Sequence, residues 1–354
     1  GNTVIEAGKA DAGVLKPFQG EEYPKEIRNT GIAVTIDQNP RYGLIDARQG
    51  AINAVVEAFR NIAAIGASPQ AVTDCLCFGN PEKESQMGTF VASIHGVADA
   101  CKGIHLKEHP GSPVPIVAGN VSLYNDSQAG SIPASPIIGC LGKLQDVSKA
   151  VDSSFKQAKS HILLIGNRKN ELGGSVYYEI QGELGANVPT PDLEEVQKQL
   201  YSVIDLIDAE YVLSSHDISE GGVAVALAEM CFENSLGCEV TIESTLRISA
   251  LIFAETGGFL LEIDPANLES AKQLLKVRGI QFQTIGKTTF DPQLKIQNAI
   301  NLEVLKAKEV VIALSTTMEG QTTAHVIADK MESLKNLTIT KLAQGIPILS
   351  LIHI

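Results

Sequence analysis

The chain has 354 residues, 44% hydrophobic, 19% charged and 5% aromatic, which excludes a disordered or fibrous polypeptide and leaves room for about two or three domains. Its 28 basic against 41 acidic side chains give a formal charge of −13, so binding to a phosphate backbone is disfavoured and nucleic acid is not expected as a partner. No apolar run reaches the roughly 18 residues of a membrane span, and the N-terminus lacks a basic-then-apolar secretory signal, so a cytoplasmic protein is expected.

Residues 1–30 are rich in Gly, Pro and charge and read as a connector or the end of a preceding element. A strand is predicted over Gly31–Ile36, then a turn at Asp37–Pro40. The apolar spacing of Ile52, Val55, Val56, Phe59, Ile62 and Ala63 predicts a helix over 51–65, stopped by Gly66 and Pro69. A strand over 71–78, a helix over 88–102, a strand over 114–118 running into Gly119–Asn125, and a strand over 136–141 complete an alternating α+β domain, 31–148. A second unit, 155–308, opens with the strand His161–Ile165 and the Gly-rich loop Leu172–Ser175. It continues with a helix over 193–207, a strand over 211–213, the run Ser214–Gly222, and an apolar helix over 223–232. A strand, helix, strand series over 258–285 follows. From 309 a βαβ texture begins that is too short to bury a core alone.

Three polar clusters sit where strands end, the usual place for function in α/β architectures. Asp74 lies inside an apolar strand, where a carboxylate is costly to bury unless it meets a cation or accepts hydrogen bonds; it reads either as an Mg²⁺ or nucleotide contact or as a local turn cap. Gly119, Asn120 and Ser122 combine a close-approach glycine with an amide and a hydroxyl suited to phosphate, although Gly-Asn is also ordinary turn chemistry. The run His216-Asp217-Ile218-Ser219-Glu220-Gly221-Gly222 places Ser219 as an N-cap, with two glycines, at a helix N-terminus. That is a ready anion loop, or else a capped turn with His216 bonded to backbone.

His105 and His109 have i,i+4 metal spacing but sit in a Gly/Pro-flanked loop with no third ligand nearby, and read as solvated. The six cysteines form no CxxC pair and read as reduced, mostly buried thiols. GxSxG, HExxH and GxxxxGK[ST] motifs do not occur, which removes the commonest hydrolase, metalloprotease and P-loop readings.

The runs NPRYGLIDARQGAINAVVEAFRNIAAIGASPQAVTDCLCFGNPE, VAGNVSLYN, SPIIGCLG and SSHDISEGGVAVALAEM together resemble the phosphoribosylformylglycinamidine synthase family, over about residues 1–290. The resemblance implies a PurM-like N-terminal domain followed by a PurM-like C-terminal domain, corresponding to the C-terminal half of the synthase. It implies ATP-dependent conversion of formylglycinamide ribonucleotide and glutamine-derived ammonia to formylglycinamidine ribonucleotide in purine biosynthesis. ATP would phosphorylate the formamide oxygen, ammonia would displace the phosphate, and Mg²⁺ would neutralise the transferred group. Position by position, it implies Asp74 and Gly119 as ATP contacts, Asn120 as an Mg²⁺ ligand and Ser122 as a contact to the ribonucleotide, with no specific ligand implied for the His216–Gly222 loop. The partners implied are a glutaminase subunit or domain, a small accessory subunit and the N-terminal half of the synthase. The family's catalytic histidine lies in that half, so this chain alone is expected to be inactive. Aminoimidazole ribonucleotide synthetase and selenophosphate synthetase share the architecture, and the GNVSLYN and TDCLCFGNPE runs favour the amidotransferase.

Residues 309–348 resemble the end of the Toprim domain of the RecR-type recombination mediator, which raises a DNA-repair accessory role that the acidic charge and the lack of a basic patch oppose. The closing LSLIHI, 349–354, belongs to neither resemblance, and one possible coding sequence for it is a transposon mosaic end. A chimaeric join between about 290 and 309 is therefore expected.

Overall fold

A computed structural model describes residues 1–128, 130–297 and 299–305. The expected Toprim-like segment 309–348 and the tail 349–354 lie outside the described residues. The first sheet has six strands, built from β1 (Thr3–Ile5), β2 (Gly13–Leu15), β3 (Gly31–Asp37), β4 (Ser68–Cys77), β5 (Ile116–Ser122) and, after the small hairpin β6 (Asp126–Ser127) and β7 (Gly130–Ser131), β8 (Ser135–Leu144). Its order is β1-β2-β3-β8-β4-β5, antiparallel except for the parallel β4–β5 pair. Residues 1–30 are therefore more than a connector: β2 pairs with β3 from Gly13 against Val34 to Leu15 against Ile32.

One face of this sheet is covered by α1 (Pro40–Ile45), α2 (Ala47–Ala64) and α3 (Glu84–Gly103). The sequence makes α2 possible at both ends. Asp46 caps it, its carboxylate accepting from the backbone N–H groups of Arg48 and Gln49, and Gly66 at φ 90° turns the chain out of it. Between those ends 15 of its 18 residues are buried, because α2 also packs on the second sheet. Asp46→Ala should lower stability by about 1 kcal/mol through the two N–H groups left without an acceptor, measured by urea denaturation.

The second sheet has seven strands: β9 (His161–Ile165), β10 (Val212–Asp217), β11 (Gly237–Val240), β12 (Phe259–Ile263), β13 (Phe282–Thr289), β14 (Gln293–Ile296) and β15 (Ile300–Glu303), in the order β10-β12-β9-β13-β11-β14-β15. Alternation along β9 and β12 splits its side chains. Leu163, Ile165, Phe259 and Leu261 face α2 and α5 (Leu193–Asp208). Ile162, Leu164 and Leu260 face α6 (Gly222–Met230) and its neighbours. The remaining helices are α4 (Val176–Ile180), α7 (Ile248–Phe253) and α8 (Leu268–Val277). Gly119–Ser122, for which turn chemistry is one of two readings, is in the body of β5, held in register against β4.

Candidate functional site

The paired strands β4 and β5 bring together the residues singled out in the sequence and divide them between two faces. Asp74 is opposite Gly119, Cys75 opposite Asn120 and Cys77 opposite Ser122. Asp74 and Gly119 share the helix-side face: a Cβ built on Gly119 would stand 2.6 Å from Asp74 Oδ1, so only glycine leaves this carboxylate its seat. Burial raises the Asp74 pKa, and no hydrogen bond or ion pair to Asp74 occurs among the described residues. A half-buried carboxylate with no cation of its own can serve as a ligand to one or as an acceptor for a ligand's donors.

Asn120 and Ser122 lie on the other face, with Cys75 and Cys77. Asn120 Nδ2 is 3.4 Å from Cys75 Sγ. Ser122 is tied to Asn125, whose amide donates to the Ser122 carbonyl at 2.9 Å and to the Phe78 carbonyl at 3.0 Å. That amide joins the loop after β4 to the loop after β5. Tyr124, in the left-handed region at φ 61°, donates its hydroxyl to Glu82 at 3.3 Å across the same rim. The strained Tyr124 backbone carries no sequence signal and was not anticipated.

The His216–Gly222 run ends β10 and enters α6, and its local structure differs from expectation in three respects. The N-cap of α6 is Gly221, at φ 76°, rather than Ser219. The Gly221 N–H donates to Glu255 Oε1 at 3.0 Å, so this donor already serves an internal carboxylate. His216 is held by side chains rather than backbone: Nδ1 is 2.6 Å from Asp11 and Nε2 is 3.0 Å from Glu229. Burial pulls the His216 pKa down, but the charge of Asp11 and the hydrogen bonds to Asp11 and Glu229 outweigh it, and the imidazole is held well above its ordinary value.

Beside it, burial and the charge of Asp11 raise Asp217 to about 7 against the lowering pull of Arg60, whose Nε is 3.4 Å away. The nearest ligand atoms of Asp11, His216 and Asp217 lie within 4.8 Å of one another, and Asp11 Oδ2 is buried without a hydrogen-bond partner. Sequence reasoning missed Asp11, Arg60 and Glu255 because they come from the loop after β1, from α2 and from the segment after α7, converging only in three dimensions.

Glu255 is the most heavily engaged carboxylate at this junction. It accepts from the Tyr42 hydroxyl at 2.6 Å, the Val176 N–H at 2.8 Å and the Gly221 N–H at 3.0 Å. Burial raises its pKa while those hydrogen bonds and Arg41 lower it, burial prevailing. The contact joins α1, the start of α4 just after the Gly-rich loop, and the turn before α6. Gly174 in that loop, at φ 74°, is pressed against the Tyr42 ring, which a Cβ would approach to 2.6 Å.

Among the described residues no helix is long and apolar enough to cross a membrane. Residues 9–144 match the N-terminal domain of AIR synthase related proteins and residues 159–297 match their C-terminal domain. The chain is 46% identical over 266 residues to the phosphoribosylformylglycinamidine synthase subunit PurL of Methanothrix thermoacetophila, covering 74% of this chain and 34% of that one. It is 38% identical over 300 residues to the subunit of the same name from Alkaliphilus metalliredigens, covering 84% of this chain and 38% of that one. It thus spans between a third and two fifths of the length of these relatives. Among solved structures, PurL of Thermotoga maritima complexed with ADP has the same fold at a TM-score of 0.65 and 15% identity, over 86% of this chain and 47% of that one. A second, the PurLQS structure from the same organism, superposes at a TM-score of 0.63 and 17% identity, over 78% of this chain and 44% of that one. With both domain matches in order and together spanning most of its length, the chain belongs to the AIR synthase related family, as a PurM-like N-terminal domain joined to a PurM-like C-terminal domain.

Proposed function

We propose that this chain is the C-terminal half of a phosphoribosylformylglycinamidine synthase, its first domain comprising residues 31–148 together with the preceding β1 and β2 and its second falling within 155–308. It contributes nucleotide, cation and substrate contacts to a site completed by the N-terminal half, acting in the cytoplasm with a glutaminase subunit and a small accessory subunit. The observation that carries this reading is the Asp74–Gly119 pair, a carboxylate seated against a position where no side chain fits, on adjacent parallel strands. The relatives bearing the synthase name and the neighbouring PurL structures complexed with ADP and with FGAR support it.

In this reading Asp74 and Gly119 contact ATP, Asn120 offers its side-chain oxygen to Mg²⁺ and Ser122 meets the ribonucleotide. Asp74 and Asn120 stand on opposite faces of the strand pair and do not share one ion: the Asn120 oxygen suits Mg²⁺ held largely through nucleotide phosphates and water, and Asp74 suits a nucleotide's donors. When bound, Mg²⁺ neutralises charge on the transferred phosphoryl group. The chain's own task is to position: β4 and β5 fix the donors, and the Asn125 amide ties the two loops at the strand ends. The outer sheet face supports a missing partner half, since Val34, Ile36 and Leu141 are 40%, 58% and 43% exposed on one side of the adjoining strands β3 and β8.

Calorimetric titration of the chain with Mg²⁺–ADP tests the reading. Asp74→Ala and Gly119→Val are each expected to weaken binding by about 10- to 100-fold, the scale of one charge-assisted hydrogen bond. Binding unaffected by either substitution would remove the reading's support.

A further inference from the structure

The geometry points to a site for a thiophilic divalent cation of the Zn²⁺ class on the outer face of the first sheet, held by Cys75 and Cys77. The two sulfurs lie outside the contacts that the synthase reading assigns, but the site shares Asn120 and the outer sheet face with that reading, so it is a property of this chain with that face uncovered. Alternation along β4 turns Cys75 and Cys77 to the face away from the helices, and both are part-exposed, whereas Cys101, Cys140, Cys231 and Cys238 are buried. Their sulfur atoms are 3.8 Å apart. Two sulfurs bound to one tetrahedral centre with metal–sulfur bonds of about 2.3 Å stand about 3.8 Å from each other, so the strand already holds the pair at the bite of such an ion.

A disulfide fits the same pair poorly. It needs the sulfurs at about 2.05 Å, and residues two apart on a strand rising about 3.3 Å per residue have Cα atoms about 6.6 Å apart, near the upper limit of about 6.8 Å that disulfides tolerate. The neighbouring strand supplies a further donor. The Asn120 amide is 3.4 Å from Cys75 Sγ, and a half-turn of that amide presents its oxygen instead. Asn120 sits on an exposed edge strand, so water can fill the remaining position. Soft thiolates select Zn²⁺ and its congeners over Mg²⁺. On binding, each thiol forms a sulfur–metal bond and releases its proton to solvent.

Cd²⁺ is the probe, because its thiolate complexes absorb in the ultraviolet. Titrating the reduced 354-residue chain should produce a charge-transfer band saturating at one ion per chain, displaced by Zn²⁺ and unaffected by excess Mg²⁺. Cys75→Ser or Cys77→Ser should each weaken binding at least tenfold, the double substitution should abolish the band, and Cys101→Ser should leave it intact. A band of unchanged affinity in the doubly substituted chain would overturn the proposal. The unaltered chain gives a second arm: one equivalent of Cd²⁺ should shield Cys75 and Cys77 from maleimide labelling as read by peptide mass spectrometry, and equal labelling with and without the ion would equally refute the site.

Discussion

Glu255→Ala should lower the free energy of unfolding by about 4 kcal/mol, read from urea denaturation at neutral pH. The substitution leaves the Tyr42 hydroxyl and the Val176 and Gly221 N–H groups without their acceptor in a region closed to water, and each stranded donor costs about 1–3 kcal/mol. Removing one donor instead is milder: Tyr42→Phe should cost about 1–2 kcal/mol, because two N–H groups still satisfy the carboxylate. Glu255→Gln should fall between the two. Its amide oxygen can keep both N–H donors, which share Oε1, while its nitrogen faces the Tyr42 hydroxyl, which must then accept rather than donate, so the shape survives and the charge does not. A loss below about 1 kcal/mol for the alanine variant would mean that water replaces the carboxylate and that the three elements are not joined through it.

Arg60→Met is expected to have an effect of similar size that depends on pH. The guanidinium side chain is 5% exposed and lies against Asp217, itself 2% exposed, with Glu57 on its other side. Removing one member of a buried pair costs about 3–5 kcal/mol when the other stays charged. Asp217 is raised from an ordinary value of 3.8 to about 7, so the full cost belongs above pH 7 and shrinks towards pH 5, where Asp217 already carries a proton in the unsubstituted chain.

The sign of the background pH dependence follows from the same groups. A raised native pKa contributes stability present below the unfolded value and lost as pH rises through the native one. For Asp217 that window runs from about 4 to about 7, and for His216 it begins near 6.5 and extends above it. Both slopes run downward with rising pH, and denaturation curves at pH 5 and pH 8 should differ far more for Arg60→Met than for the unsubstituted chain. Equal losses at the two pH values would show that Asp217 is ionised throughout.

Most of the scaffold was legible in the sequence because its elements are written in local periodicity. The strand predicted over His161–Ile165 is found with those bounds, and the helix predicted over 193–207 is α5, Leu193–Asp208, with Asp192 as its cap. The short strands β1 and β2 were not legible: each has three residues and depends on pairing with β3, which no local pattern reports. For Gly119–Ser122 the sequence leaves turn chemistry open because Gly and Asn favour turns intrinsically, whereas here the ladder to β4 overrides that preference. Of the candidate site, sequence singled out Asp74 and, in a separate cluster, Gly119, Asn120 and Ser122, but neither their pairing across β4 and β5 nor the alternation that sends them in pairs to opposite faces. The charge network failed to appear for a different reason: Asp11 and His216 are 205 positions apart, and Arg60 and Asp217 are 157 apart.

The burial of α2 against both sheets also limits how this molecule can move. A helix whose flanks belong to two domains cannot act as a hinge, since opening the domains about the 145–160 connection would strip apolar side chains such as Phe59 and Ile62 from one sheet or the other. Close-packed interfaces of this kind resist gradual deformation and permit only small sliding displacements. Ligand-driven rearrangement is thereby directed to segments outside the two sheets, such as 78–83 and 181–192, which can shift while the sheets stay fixed on their common helix.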